Sequence, residues 1–337
     1  MGRTFNHVKP SDFPLAGLPI GLPIGLLGLA VFAAAAVWPL PVRADTVAQD
    51  GAGHKVSISD TSRVVSIGGA VTEILYALGF DKSIVGIDST SLYPPQAAKE
   101  KKNVGYMRQL SAEGVLGLRP SLIVAIAGSG PKETMAVLEA AHVPLVVVPD
   151  SYSEAGIVEK IGVVAKAVGA GERSRCLIDR VHSDLAALKT IEAGIARRKR
   201  VLFVLSFVNG RAMAAGRDTA ADGIIKLAGG INVIDEYEGY KPLSDEAVIA
   251  AKPDVILSMQ RGGPGVLSAD AVFSHAAFSA TPAAAQRSFV SMEGLYLLGF
   301  GPRTARAARD LALTLYPDLK AAPLPSEREP GSASCRQ

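Results

Sequence analysis

Cysteine is almost missing from this chain of 337 residues: Cys176 and Cys335 are the only two. Two residues so far apart make neither a disulfide scaffold nor a cysteine-rich metal site. Cys335 falls in a stretch from Pro325 to Gln337 rich in Pro, Ser, Gly and charge, which reads as disordered. In an oxidising compartment a bridge to Cys176 is open, but this setting points to two unrelated thiols. Histidine is scarce too. His54, His142, His182 and His275 show no metal-ligand spacing, and His7 lies in the N-terminal leader. His142 reads as a helix-end residue, His182 as a structural residue on a long helix, and His275 has no assigned role. Catalytic signatures are lacking as well. There is no Gly-x-Ser-x-Gly elbow, no Walker loop and no His-Glu-x-x-His.

An excess of one charge is also absent. The net charge is +3, and without a leader of 44 residues 32 basic residues face 31 acidic ones. That balance argues against nucleic acid as a partner. The leader has Arg3 and Lys9 before an apolar stretch from about Phe13 to Leu40, then Val42 and Ala44 at the small-residue positions of a signal-peptidase site. Cleavage is expected after Ala44, although the apolar stretch is long enough for an uncleaved anchor. No Cys lies near the cleavage point, which argues against a lipid-anchored mature end. No later run is long and apolar enough to cross a membrane, so a soluble, exported protein is expected.

What the chain does have is a repeat at domain scale. Ser111-Ala112-Glu113-Gly114-Val115-Leu116-Gly117-Leu118-Arg119-Pro120-Ser121-Leu122-Ile123 returns 133 residues later as Ser244-Asp245-Glu246-Ala247-Val248-Ile249-Ala250-Ala251-Lys252-Pro253-Asp254-Val255-Ile256. Each copy reads as a Ser-capped short helix, closed by a basic residue and Pro, that runs into a buried strand. A repeat of this length implies two similar lobes, and two lobes imply a cleft, where small ligands sit.

Strands are expected at Arg63–Ile67, Ile84–Ile87, Leu122–Ala127 and Pro144–Val148, alternating with helices from Val71 and Lys132. This alternation builds a parallel sheet covered by helices, and the second lobe opens the same way at Arg200–Leu205. Ile178, Val181, Leu185, Leu188 and Ile191 form one apolar stripe at spacings of three and four, a helix of about 20 residues lying across both lobes. The fold class is therefore α/β, with two parallel-sheet lobes joined by one long helix and a ligand between them. The expected divisions are 1–44 leader, 60–150 first lobe, 151–198 helical region, 199–316 second lobe and 317–337 disordered tail.

Gly68-Gly69, between a strand and a helix, suits either an anion at the helix N-terminus or a plain tight turn. Tyr106 and Arg108 lie on a loop just before the first repeat helix, on the carboxyl side of a strand, where loops face the cleft. A cation near a tyrosine favours phenolate, a hard ligand suited to ferric iron, although such a pair also serves as ordinary packing and solvation. Tyr93, before two prolines, is either a turn residue or an aromatic wall. Glu113 and Glu246 suit helix N-termini and also make two fixed negative points, one per lobe.

These segments resemble a known family. Gly-Gly-x-Val-Thr-Glu-Ile at 68–74, Thr-Ser-Leu-Tyr-Pro at 90–94, Gly-Tyr-Met-Arg-Gln-Leu-Ser-Ala-Glu at 105–113, Ala215–Asp222 and Leu298–Thr304 are similar to the periplasmic haem-binding proteins of bacterial ABC haem importers. The likeness covers about residues 60–316, and the wider class includes vitamin B12 and ferric-siderophore binders. The resemblance implies a non-catalytic periplasmic monomer that captures haem and delivers it to an inner-membrane permease dimer. It implies Tyr106 as axial ligand to the haem iron, Arg108 supporting its phenolate, and Tyr93 as a second pocket residue. Arg261, by position, is expected to hold a propionate. Glu113 and Glu246 would dock on arginines of the two permease subunits. Some relatives carry a His after the first strand of the second lobe and take two stacked haems. Leu205–Gly210 has no His, which argues against both here. The alternatives are a corrinoid or ferric siderophore in the same fold, and then an exported enzyme acting on a tetrapyrrole.

Overall fold

The structure is a computed structural model that describes residues 46–208, 210–260, 267–328 and 335. A short hairpin, β1 (Thr46–Gln49) and β2 (Lys55–Ile58), comes first. The first lobe then runs β3 (Val64–Ile67), α1 (Gly69–Ala77), β4 (Ile84–Ile87), α2 (Pro95–Glu100), β5 (Lys102–Asn103), α3 (Ala112–Leu116), β6 (Leu122–Ile126), α4 (Lys132–Ala140) and β7 (Leu145–Val148). Its five strands are all parallel, in the order β5-β4-β3-β6-β7. The strands β3 and β6 are buried at every position, as the continuous apolar runs require of a sheet covered on both faces.

Two helices follow, α5 (Glu154–Ala167) and α6 (Gly171–Ala193), separated at the Gly169-Ala170-Gly171 break. The second lobe comprises β8 (Arg200–Val208), β9 (Arg211–Ala215), α7 (Ala220–Leu227), β10 (Ile231–Asn232), β11 (Tyr240–Leu243), α8 (Asp245–Ala251) and β12 (Val255–Gln260). It continues with three short turns, α9 (Ala269–Phe273), α10 (Ala276–Ser279) and α11 (Pro282–Ala285), then β13 (Phe289–Glu293), α12 (Gly294–Leu298) and α13 (Thr304–Leu315). Here the core strands β8, β12 and β13 are parallel, but β9 and β11 extend the sheet antiparallel. The parallel core is as the sequence leads one to expect, and β9 and β11 add an antiparallel extension that no sequence pattern marked. Gly210 has φ 76° and lets β8 fold directly back into β9, a connection that needs no helix.

The stripe on α6 turns inward through Val181, Leu185 and Leu188, buried together with Leu177, while Ile178 and Ile191 are half-buried. This helix packs on α5, which belongs with β1, β7 and α1, and on α13, which packs on α7 and α12. The principal apolar core accordingly runs through both lobes, from Val64 and Ile74 across Ile161 and Val181 to Ile224 and Leu311. A shared core of this kind leaves little freedom for wide hinge motion.

The chain after α13 is not free of contacts. Leu324 is fully buried, α14 (Pro325–Arg328) lies on α6, and the Ser326 backbone N–H donates to Asp184 at 2.9 Å. Glu327 pairs with Arg306 at 3.0 Å and also with Arg309, and Cys335 forms a disulfide with Cys176. The readings of a disordered tail and of two unrelated thiols therefore fail for these residues. A few well-placed anchors hold a segment whose composition alone lacks a core.

Candidate functional site

A cavity of about 560 Å³ opens between the two lobes. Its walls follow the carboxyl ends of strands: Gly68–Ala70 after β3, Ser89, Thr90 and Leu92 after β4, and Tyr106–Arg108 after β5. Asp150 and Tyr152 follow β7. From the other lobe come Tyr240, Met259 and Gln260 at the end of β12, and Glu293–Leu295 at the end of β13. Open parallel sheets place ligands at that edge because the loops there are free of the crossover helices.

The Tyr106 turn is held on all sides. Gly105 has φ 97°, which a side chain would disfavour, and its N–H donates to Asn103 Oδ1 at 2.7 Å. The Gln109 N–H donates to the Tyr106 carbonyl at 2.8 Å, and the Gly130 N–H to the Met107 carbonyl at 2.9 Å. Met107 packs inward, leaving the rings and heads of its neighbours outside. Tyr106 is 42% exposed and Arg108 is exposed beside it on the same wall. The structure thus brings these two sequence candidates together.

Asp88 fixes the next wall. Its buried carboxylate accepts from the Gly68 and Thr90 N–H groups and from the Thr90 and Ser91 hydroxyls, at 2.7–2.9 Å. The Gly69 N–H donates to Thr90 Oγ1 at 3.1 Å. With both glycine N–H groups taken and a carboxylate adjacent, Gly68-Gly69 is a tight turn rather than an anion cradle. A Cβ on Gly69 would lie 2.5 Å from Leu295, so the lobes touch at the cavity floor only because glycine stands there.

Two wall residues escaped the sequence reading. Tyr152 donates its hydroxyl to Asp150 at 3.1 Å, and Asp150 also receives Lys160 Nζ at 2.8 Å from a fully buried lysine. Burial, then the Asp150 charge, pushes the Tyr152 phenol well up, so it stays protonated. Its place just beyond a buried strand was a usable signal. Tyr240 stands on the antiparallel strand β11, its ring roughly perpendicular to that of Phe203, and nothing periodic marks it.

Other candidates fall elsewhere. Tyr93 is not a wall of this cavity; it lines a second one of about 470 Å³, beneath the guanidinium of Arg303, which is 3.5 Å from its ring centre. The alternation along Leu92-Tyr93 turns Leu92 to the first cavity instead. Arg261 lies outside the described residues, as do the expected leader and cleavage site. His275 stacks on Phe207, and its Nε2 is 2.9 Å from the Gly210 carbonyl. Among the described residues no group of His, Cys, Asp or Glu is arranged to hold a metal ion.

Glu113 and Glu246 are exposed in the first turns of α3 and α8. Ser111 and Ser244 cap those helices, each accepting a backbone N–H at 3.2 Å. The Glu246 backbone N–H and the Ser244 hydroxyl hold the Glu246 carboxyl below the usual range.

The fold and the cavity define a bilobal α/β binding protein, its ligand held between lobes at the carboxyl edges of their sheets. The family model described as Periplasmic binding protein matches residues 64–294, more than half of the chain, and the chain belongs to that family. The structure is similar to the periplasmic heme-binding protein RhuT from Roseiflexus sp. RS-1 in apo form, with TM-score 0.73 and 40% identity over 77% of this chain and 100% of that one. It is similar to the periplasmic heme-binding protein BhuT in complex with two hemes, with TM-score 0.72 and 39% identity over 77% and 99%. Among curated relatives, an ABC transporter substrate-binding lipoprotein of Bacillus subtilis is 26% identical over 80% of this chain and 85% of its own length. The vitamin B12-binding protein of Yersinia pestis is 24% identical over 58% and 68%.

Proposed function

We propose that this protein captures haem in the interlobe cavity and delivers it to an ABC importer. The observation that carries the proposal is the pinned turn that presents Tyr106 and Arg108 together on the cavity wall. Its reading as a haem site is supported by heme-binding relatives at 40% and 39% identity. Tyr106 supplies a phenolate oxygen to ferric iron, and Arg108 stabilises that charge. Leu92, Met259, Leu295 and Leu298 offer apolar surface to the flat macrocycle. Tyr152 keeps its proton and contributes ring surface rather than a second phenolate. Arg261 remains the proposed propionate partner. Glu113 and Glu246 dock on the two permease subunits, which gives the repeat a purpose. The leader is removed after Ala44, and the mature monomer acts outside the inner membrane. It binds and releases without turnover, which assays for loss of bound haem check.

A corrinoid is the second reading, favoured by the vitamin B12-binding relative. Titration of the mature chain from Asp45 with hemin and, in parallel, cobalamin separates them. Saturable hemin binding with a high-spin ferric spectrum, lost in Tyr106→Ala, is the expected result. Saturation by cobalamin alone would replace haem with the corrinoid.

A further inference from the structure

Behind the cavity floor, one arginine of the second lobe is gripped by the first. Arg303, at the start of α13, sends Nη2 to Glu73 Oε2 at 2.9 Å, and its backbone N–H donates to Glu73 Oε1 at 3.1 Å. Glu73 lies in the middle of α1 and is only 5% exposed. The guanidinium also covers the ring of Tyr93, at 3.5 Å, and stands 5.1 Å from that of Tyr296. A first-lobe carboxylate and aromatic ring therefore hold one second-lobe cation.

The same segments form the cavity floor on their other side. Gly69 begins the helix that carries Glu73, and Leu92 precedes Tyr93; both are cavity walls. Leu295, Leu298 and Gly299 are walls in the short segment that leads to Arg303. A change in the Glu73–Arg303 distance must therefore change the gap between the walls. We propose that Glu73 and Arg303 are a positioning pair that sets the aperture of the cleft and so the residence time of the bound ligand. The proposal rests on the haem reading only for its probe.

Energetics favour a positioning role over a stabilising one. Burial raises the Glu73 carboxyl above its ordinary range even though Arg303 acts in the opposite direction. A buried ion pair is weak evidence of stabilisation, whereas its two fixed hydrogen bonds set a distance. Arg303 Nε has no hydrogen-bond partner among the described residues. The second cavity lies against the pair, and the Arg303 side chain is 22% exposed.

The test uses the hemin-loaded mature chain and transfer of haem to excess apomyoglobin. Glu73→Gln and Arg303→Gln are each expected to keep the ferric spectrum and speed transfer about tenfold, since changes within one site appear mainly in the off-rate. The double variant should be no faster than either single one, because both remove the same link. Arg303→Lys, which keeps the charge, should fall between wild type and Arg303→Gln and serves if a Gln variant fails to fold. Transfer at the wild-type rate in these variants, or a double variant equal to the product of the singles, overturns the pairing. If wild type takes up no hemin, the haem reading fails by itself. The pair is then tested by small-angle scattering of the apo protein: a larger radius of gyration in Glu73→Gln supports it, and an unchanged one overturns it.

Discussion

Arg119 and Lys252, 133 residues apart, adopt the same left-handed backbone conformation, with φ of 47° and 44°. Lys252 caps the C-terminus of α8 and Arg119 lies three residues beyond α3, and each precedes the proline that leads into a central strand, β6 or β12. The repeat thus extends from residue identity to backbone geometry at a costly position. It places Glu113 and Glu246 in equivalent surroundings, one per lobe.

Glycine at either position should relieve the left-handed strain, which costs about 1–2 kcal/mol for an ordinary residue, less the entropy that glycine loses on folding. Arg119→Gly and Lys252→Gly are each expected to raise the unfolding midpoint slightly in a thermal scan. A fall of several degrees would show that the side chains, not the backbone, matter there.

Glu113→Lys and Glu246→Lys should leave hemin titrations unchanged, since both residues lie outside the cavity. Delivery in vesicles containing the cognate importer should fall sharply with either variant and further with both. Unimpaired delivery would remove the docking assignment while leaving the binding site intact.

Arg108→Ala should weaken hemin binding by about tenfold or more, the size of a hydrogen bond to a charged group, about 1.5–3 kcal/mol. The spectrum should keep its tyrosinate character, in contrast to Tyr106→Phe. Equal affinity in wild type and Arg108→Ala would return Arg108 to a solvated surface role.

Lys160 is fully buried and pairs with Asp150 at 2.8 Å. Truncating it to Ala leaves Asp150 without its cation and is expected to cost about 3–5 kcal/mol, as for other broken buried pairs. Lys160→Met combined with Asp150→Asn should recover part of that loss in denaturant melts. No recovery would place the loss in packing rather than charge.

Glu73 gives a pH signature. Its folded carboxyl titrates above the unfolded value, so the folded state holds the proton more tightly. That contribution is fully present below the unfolded pKa and is lost as pH rises through the folded one. The stability of wild type relative to Glu73→Gln should therefore be greatest at acidic pH, below the ordinary carboxyl range, and shrink as pH rises, read by denaturant midpoints. The opposite trend would mean that Arg303 outweighs burial.

Much of the fold was legible because its strands are short apolar runs and its helices carry periodic stripes. Helices at Ala220–Leu227 and Thr304–Leu315 can be placed from those patterns alone. The hairpin β1–β2 cannot, since only Ala48 and Ile58 of its eight residues are buried. Strands β9 and β11 are hidden for another reason: β9, Arg-Ala-Met-Ala-Ala, has no β-branched or aromatic residue, and β11 contains a proline. Tyr106 and Arg108 were marked by the family resemblance, their spacing alone suiting ordinary packing, and Tyr93, either a turn residue or a wall, faces another cavity.

The sequence by itself determined the two-lobed α/β plan, the repeat and the exposed glutamates, because burial period, caps and breakers act over a few neighbouring residues. Tertiary structure decided the cavity and everything that spans it. Asp150 receives both Tyr152 and Lys160, Arg303 reaches Glu73 across 230 positions, and Cys335 finds Cys176 on α6. Such pairs are set by how helices and sheets pack, and no local pattern of residues encodes which distant partner will face them.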